Sequence, residues 1–74
     1  MKNLPKAIKT LVVLAVDAQA RTIDLEADPD VIDIIRQNGM GSIRADPERG
    51  VQVLTVSERF SFQEVRDWLL EQAA

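Results

Sequence analysis

Residues 4–20 read LPKAIKTLVVLAVDAQA, and the order of secondary structure along the chain depends on whether this stretch is a helix or a strand. Read as a helix, its apolar residues share one face and its polar residues share the other. Asn3 can cap such a helix, and Pro5 stands in the first turn, where proline is tolerated. The apolar face comprises Leu4, Ala7, Ile8, Leu11, Val12, Leu14, Ala15 and Ala18, opposite Lys6, Lys9, Thr10, Asp17 and Arg21.

The segment TLVVLAV, residues 10–16, is also rich in β-branched residues, which is typical of a strand. Because it is apolar without alternation, such a strand needs cover on both faces, and a small two-layer domain rarely supplies that. The next residues, DAQA at 17–20, contain no Gly, Pro or Asn to form a turn. We therefore favour a helix over residues 4–20.

Downstream of this stretch the pattern is clearer. RTIDLEA, residues 21–27, alternates between apolar and polar residues and predicts a half-buried strand. Asp28 and Pro29 then begin a helix, with Asp28 as the N-cap and Pro29 at the first helical position. Gly39 is expected to end this helix in a left-handed conformation.

The C-terminal half predicts a hairpin followed by a helix. Residues 42–45 form a short strand, DPERG at 46–50 forms a turn, and VQVLTVS at 51–57 forms the second strand. Ser61 and Glu64 have the spacing of a capping box at the start of the last helix. The predicted fold class is α+β: a small two-layer domain with a three- to four-stranded, mostly antiparallel sheet packed by two or three helices, in the order α-β-α-β-β-α. We expect a single domain over residues 1–74.

An internal similarity supports a different order. VDAQARTIDLEA, residues 16–27, and ADPERGVQVLTV, residues 45–56, each place an Asp and a short polar stretch before an apolar run that alternates. A helix follows each of these segments. The alternative architecture is therefore a pseudo-repeat of two β-hairpin–helix units, ββαββα.

The amino-acid composition removes several side chains that catalytic and metal sites commonly use. The chain has no Cys, His or Tyr, so it lacks a thiol nucleophile, the commonest general base and the commonest transition-metal ligand. No set of polar residues converges in the sequence as a catalytic group would. We therefore expect a protein that is not an enzyme and that has no cofactor.

The acidic stretch DLEADPDVID, residues 24–33, is the candidate metal site. As a calcium loop beginning at Asp24 it needs Gly at the sixth position and a bidentate Glu at the twelfth. Pro29 and Ile35 occupy those positions. We interpret the stretch as the junction between a strand and a helix. Weak divalent-metal binding through Asp24–Asp33 is the second alternative function.

The segment Gly39-Met40-Gly41-Ser42 is a candidate phosphate loop, since its backbone N–H groups could surround an anion. Glycine loops that bind phosphate usually precede a helix, whose N-terminus supplies a favourable field. This segment instead follows a helix and leads into a strand. The pattern therefore favours a helix stop and a turn over a phosphate site.

Arg36, Arg44 and Arg49 form a candidate partner-binding set, because the planar guanidinium suits phosphate and carboxylate recognition. A small nucleic-acid-binding module that uses this Arg patch is the first alternative function. The net charge of −3 disfavours nucleic acid, which needs clustered positive charge. No aromatic residues lie between these arginines to stack on bases.

Trp68 lies in the last helix near Phe60 and Phe62, the only other aromatic residues. A role in the core is the simpler interpretation, but a partly exposed Trp68 would suit an interface. Surplus apolar surface on residues 4–20 and 51–56 also indicates a partner. We therefore predict a non-catalytic protein–protein interaction or regulatory module, with a homodimer as one option for its assembly, that binds through Arg36, Arg44, Arg49 and Trp68.

The first twenty residues have the outline of a secretory signal, with a basic start and an Ala-x-Ala at residues 18–20. The apolar run Leu11–Val16 is shorter than the usual apolar region of a signal, and Asp17 interrupts it. No stretch is long enough to span a membrane. We expect a cytoplasmic protein that does not bind membranes.

Overall fold

The structure is a computed structural model that describes residues 10–73. The chain forms two β-hairpins, each followed by a helix: β1 (Leu11–Asp17), β2 (Thr22–Ala27), α1 (Pro29–Gln37), β3 (Gly41–Asp46), β4 (Val51–Val56) and α2 (Phe62–Ala73). The four strands make one antiparallel sheet in the order β1-β2-β4-β3. This confirms the small α+β fold class, in the ββαββα order that the internal similarity indicated.

The helix predicted over residues 4–20 is wrong where the structure describes it. Residues 11–17 are strand β1, which pairs with β2 from Leu11 opposite Ala27 to Asp17 opposite Thr22. The expectation that an apolar strand needs cover on both faces failed because β1 is an edge strand that keeps apolar side chains exposed. Residues 4–9 of the predicted helix lie outside the described residues.

The turn between β1 and β2 forms without Gly, Pro or Asn. The Ala20 N–H donates to Asp17 Oδ1 over 3.1 Å, so an Asp side chain closes the turn in place of a typical turn residue. Arg21 completes the turn with a φ of 58°, a left-handed backbone conformation that residues other than glycine rarely adopt. The sequence argument against a turn at residues 17–20 did not allow for the Asp17 side-chain hydrogen bond and the left-handed backbone of Arg21.

The core lies between one face of the sheet and the two helices. β2 and β4 are the central strands, and their inward side chains Ile23, Leu25 and Leu54 are fully buried. Ile35 of α1 and Leu69 of α2 pack onto them and are equally buried. The opposite face of the sheet carries no helix from the described residues, and we call it the open face.

The start of α1 differs in detail from the expectation. Asp28 occupies the N-cap position and Pro29 the first helical position, but the Asp28 side chain makes no capping hydrogen bond. It accepts a hydrogen bond from the Thr10 N–H instead, over 2.7 Å. The Asp28 carboxylate therefore holds the start of β1 rather than the first turn of the helix.

The end of α1 follows the expectation. Gly39 has a φ of 66°, and its N–H donates to the Arg36 carbonyl while the Met40 N–H donates to Ile35. These two bonds form a Schellman motif, and they bring the apolar Met40 and Ile35 into the core together. Both residues are buried, so the motif turns the chain toward β3 without leaving the core.

β3 begins at a position that only glycine can fill. A Cβ on Gly41 would overlap the Thr55 carbonyl of β4. The close approach lets β3 pair with β4 from Gly41 opposite Val56 to Asp46 opposite Val51. Gly41 therefore fixes how closely this edge strand lies against the rest of the sheet.

The capping box at the start of α2 is confirmed. The Ser61 N–H donates to Glu64 Oε1 over 3.1 Å, and the Glu64 N–H donates to Ser61 Oγ over 3.0 Å. Such reciprocal bonds satisfy helix N–H groups that have no partner within the helix. None of the described helices has the length and hydropathy that a membrane span requires.

Candidate interaction surface

The outer edge of β1 carries exposed apolar side chains. Val12, Leu14 and Val16 have 42%, 47% and 48% of their surface exposed. Between Leu11 and Val16 the strand has no charged residue. An edge strand also has backbone N–H and C=O groups that point away from the sheet, and such an edge is a template for another strand.

A bulge distributes these side chains over both faces of the sheet. Val13 pairs with Leu25 and Ala15 pairs with Asp24, so Leu14 is the extra residue. Val12 lies opposite the exposed Glu26 on the open face, and Val16 lies opposite the buried Ile23 on the helix face. A strand added beside β1 would therefore find apolar contacts above and below the sheet.

Two Asp side chains hold β1 on its inner side. Asp28 accepts from the Thr10 N–H and donates its own N–H to the Thr10 carbonyl over 3.0 Å, at the start of the strand. Asp17 closes the turn at the other end. Because both ends are fixed, the outer edge of β1 keeps an extended conformation that a partner strand can match.

The other edge strand, β3, is polar. Arg44 is exposed at its middle, and Asp46 at its end binds Arg49 in the following turn. The Arg49 Nε lies 2.9 Å from Asp46 Oδ2, and its Nη1 lies 2.8 Å from Asp24 Oδ2 on β2. This network joins the β3–β4 turn to the centre of the open face.

The network has an electrostatic consequence for both partners. The hydrogen bond from the Arg49 side chain holds the pKa of the Asp46 carboxyl below its ordinary value. The hydrogen bonds to Asp24 and Asp46 in turn raise the pKa of Arg49. Arg49 is therefore occupied by two carboxylates of its own chain.

The structure does not bring the three predicted arginines together. Arg44 and Arg49 lie on the open face, since Arg44 alternates with the inward Ile43 and Arg49 binds Asp24. Arg36 lies at the end of α1, in the helix layer on the other side of the sheet. A continuous Arg patch of all three residues is absent, although their role in partner binding stays a prediction.

Trp68 is partly buried and packs against the core. It lines a shallow apolar groove with Met40, Phe60 and Val65. A partly exposed Trp68 was one of the two sequence interpretations, and its use by a partner stays a prediction.

Two carboxylates of the acidic stretch bind groups elsewhere in the fold. Asp24 binds Arg49, and Asp28 binds the Thr10 N–H. Within residues 10–73, no three His, Cys, Asp or Glu side chains come close enough together to hold a metal ion. The described residues therefore contain no assembled set of ligands for metal binding through Asp24–Asp33.

Sequence reasoning predicted surplus apolar surface on residues 4–20 but placed Val12 and Leu14 on a helix, so it missed that they lie on a sheet edge. The signal was present in the uninterrupted apolar run of residues 11–16. Comparison with known protein families, with curated proteins and with solved structures finds no significant match.

Proposed function

We propose that this domain is a non-catalytic protein–protein interaction module that forms a homodimer through the edge of β1. The observation that supports this proposal is the exposure of Val12, Leu14 and Val16 along one edge of the described sheet. Natural proteins usually protect such edges with charges, proline or covering segments. β1 has no charged residue and no proline between Leu11 and Val16, and no segment within residues 10–73 covers its outer edge.

A second copy of the chain is the partner that fits this edge. Two copies related by a two-fold axis present the same patch to each other, and two β1 strands then pair antiparallel. β1 ends at Asp17. Antiparallel pairing keeps the Asp17 carboxylates of the two copies at opposite ends of the strand pair, whereas parallel pairing brings these like charges together.

The dimer would join two four-stranded sheets into one of eight strands, with the two β1 strands at its centre. The exposed valines and leucine of one copy would then contact apolar side chains of the other copy across the new strand pair, on both faces of the sheet. We place this module in the cytoplasm, because a chain without Cys is compatible with a reducing compartment.

The test is analytical ultracentrifugation of the full chain across a wide range of concentrations. The unmodified chain should show a reversible monomer–dimer equilibrium. Leu14→Lys should weaken the association at least about tenfold, because both copies lose an apolar contact and two like charges meet at the axis. Far-ultraviolet circular dichroism shows whether this variant stays folded, which we expect because Leu14 is exposed.

The chain offers a matched control in Leu70 of α2, which is 47% exposed, the same fraction as Leu14. Leu70→Lys should leave the association unchanged. A chain that stays monomeric at every concentration, or an association that Leu14→Lys does not weaken, would contradict the proposal. Weakening by Leu70→Lys alone would move the interface to α2 and also contradict it.

The Arg patch receives no comparable support for nucleic-acid binding. Arg36 lies apart from the other two arginines, and Arg49 is held by Asp24 and Asp46. The self-association proposal therefore stands ahead of it.

A further inference from the structure

A second feature lies away from the β1 edge, where three connections of the chain meet. The β1–β2 turn, the α1–β3 connection and the β4–α2 connection enclose an open cleft of about 580 Å³. The Gly39–Ser42 segment forms one wall of this cleft, and Thr55–Arg59 forms another. Arg21 reaches it from the turn between the first two strands.

Arg21 is held in the cleft at a conformational cost. Its backbone has a φ of 58°, in the left-handed region that residues other than glycine rarely adopt. Its Nη2 donates to the carbonyls of Ser57 and Phe60, both over 2.8 Å. Its Nε is buried and has no hydrogen-bond partner among the described residues.

The charge of Arg21 is not neutralised within the described part of the chain, where no carboxylate lies within 4.0 Å of it. Carbonyl groups satisfy part of its hydrogen bonding but carry no net charge. A partly buried cation of this kind favours a bound anion, since the local environment screens charge less than bulk water does.

Arg59 supplies a second cation on the opposite wall. Its Nη1 lies 4.0 Å from the place where a Cβ on Gly39 would be. Among residues 10–73 it forms no ion pair. The guanidinium therefore lies over the Gly39–Ser42 segment with its donors available.

Hydroxyl groups complete the lining. Ser57 Oγ accepts the Arg59 N–H over 3.1 Å, which leaves its own hydroxyl hydrogen free to donate. Ser42 and Thr55 also line the cleft, and they pair across β3 and β4. Glu58 is the one carboxylate in the lining, so the two arginines leave the cleft a net positive charge.

We infer that this cleft binds a small phosphate-type oxyanion. A tetrahedral oxyanion takes hydrogen bonds from several directions, which matches guanidinium groups on two sides and hydroxyls between them. The sequence pattern disfavoured a phosphate site at Gly39–Ser42, because that segment does not lead into a helix N-terminus. In the fold, Arg21 and Arg59 line the same cleft as this segment, so two side-chain cations supply the favourable field instead.

The test is a titration of the full chain with inorganic phosphate, followed by amide chemical shifts in two-dimensional NMR. Sodium chloride at matched ionic strength is the reference. We expect saturable shifts concentrated in residues 39–42 and 55–59. Methyl phosphate titrated in parallel tells a phosphate ester from the free ion, and saturable binding of either supports the inference.

A substitution of Arg21 would also disturb the fold, because its side chain holds the β4–α2 connection. Arg59→Gln is therefore the informative variant. It should lower the affinity about tenfold or more, since it removes a charge-assisted contact. Glu58→Gln should raise the affinity several-fold, because it removes the one negative charge from the lining. Arg66→Gln is the matched control, since Arg66 binds Asp67 on α2, outside the cleft.

Three results would overturn the inference. The first is a set of shifts that rises linearly with phosphate and never saturates. The second is an equal response around Arg36 and Arg44, which would indicate general screening of charge. The third is an Arg59→Gln variant that binds phosphate as well as the unmodified chain does.

Discussion

The two edges of the sheet differ in how they meet solvent. β1 exposes Val12, Leu14 and Val16 at one edge, while β3 at the other edge carries Arg44 and ends at Asp46. Both strands pair with a central strand along their inner side. Since charged side chains discourage the addition of further strands, β3 is protected, while β1 has no such protection among the described residues.

The difference also extends to what attaches each edge to the sheet. β3 depends on the close backbone approach at Gly41, and its far end is joined to β2 through Arg49. β1 depends on Asp28 and Asp17, whose side chains hold its two ends. Besides its backbone pairing, the β3 edge is thus held by a close backbone approach at one end and a side-chain network at the other, and the β1 edge by an Asp side chain at each end.

The largest effect is expected from Gly41→Ala. The added methyl group overlaps the Thr55 carbonyl, so β3 must move away from β4. We expect the free energy of unfolding to fall by about 2 kcal/mol or more, as overpacking and backbone strain do elsewhere. Urea denaturation measures the loss. Gly50→Ala is the comparison, because Gly50 has a φ of 69° that also strains a side chain, while a methyl group there contacts nothing within 4 Å. It should therefore lose less stability than Gly41→Ala, and an equal loss in both variants would contradict this account.

A smaller effect is expected at the other edge from Asp28→Ala. The variant removes the acceptor of the Thr10 N–H, and an exposed hydrogen bond of this kind contributes roughly 1 kcal/mol. The Thr10 amide should exchange faster with solvent, as measured by NMR hydrogen exchange. Asp28→Asn keeps an oxygen acceptor and should restore most of the protection. Asp30→Ala, in the same helical turn, should leave the Thr10 amide unchanged.

Arg44→Val tests whether charge is what distinguishes the two edges. It replaces the exposed cation at the middle of β3 with an apolar, β-branched residue like those of β1. We expect weak association through β3 at high protein concentration, in addition to any that the unmodified chain shows, detected by ultracentrifugation. Arg44→Lys keeps the charge and should behave as the unmodified chain. If neither variant associates further, backbone geometry and not charge protects β3.

The smallest effect is expected from Arg49→Gln, which removes the cation shared by Asp24 and Asp46. The pKa of Asp46 should rise toward its ordinary value, because the hydrogen bond from Arg49 is the main cause of its lowering. Carbon-detected NMR of the Asp carboxyl groups measures this rise. The exposed network contributes little to stability at neutral pH, since solvent screens it.

The sign of the pH dependence follows from the direction of the Asp46 shift. A carboxyl whose pKa is lowered in the folded state stabilises the fold above its unfolded pKa, and this contribution is lost as the pH falls through the folded value. Arg49→Gln should therefore flatten the acidic side of the stability profile. A profile that is unchanged below pH 5 would show that the Arg49 network makes no contribution there.

Local signals in the sequence predicted much of this fold. The Ser61–Glu64 capping box, the Gly39 helix end and the strands around Leu25 and Leu54 all appear as expected. Each depends on residues within a few positions of one another, so the pattern is readable without the partner strand. The predicted partner-binding set was less predictable from the sequence. Its arginines lie on different sides of the sheet, and Trp68 packs against the core.

The sequence by itself determined the junctions and the composition: where α1 and α2 begin, where α1 ends, and which side chains are missing from the chain. Only the tertiary structure decided that residues 11–17 are an edge strand, because helix and strand are both compatible with that run until β2 pairs with it. It alone brought Arg21 and Arg59 to the Gly39–Ser42 segment. Contacts between distant residues decide such features, and no local spacing encodes them.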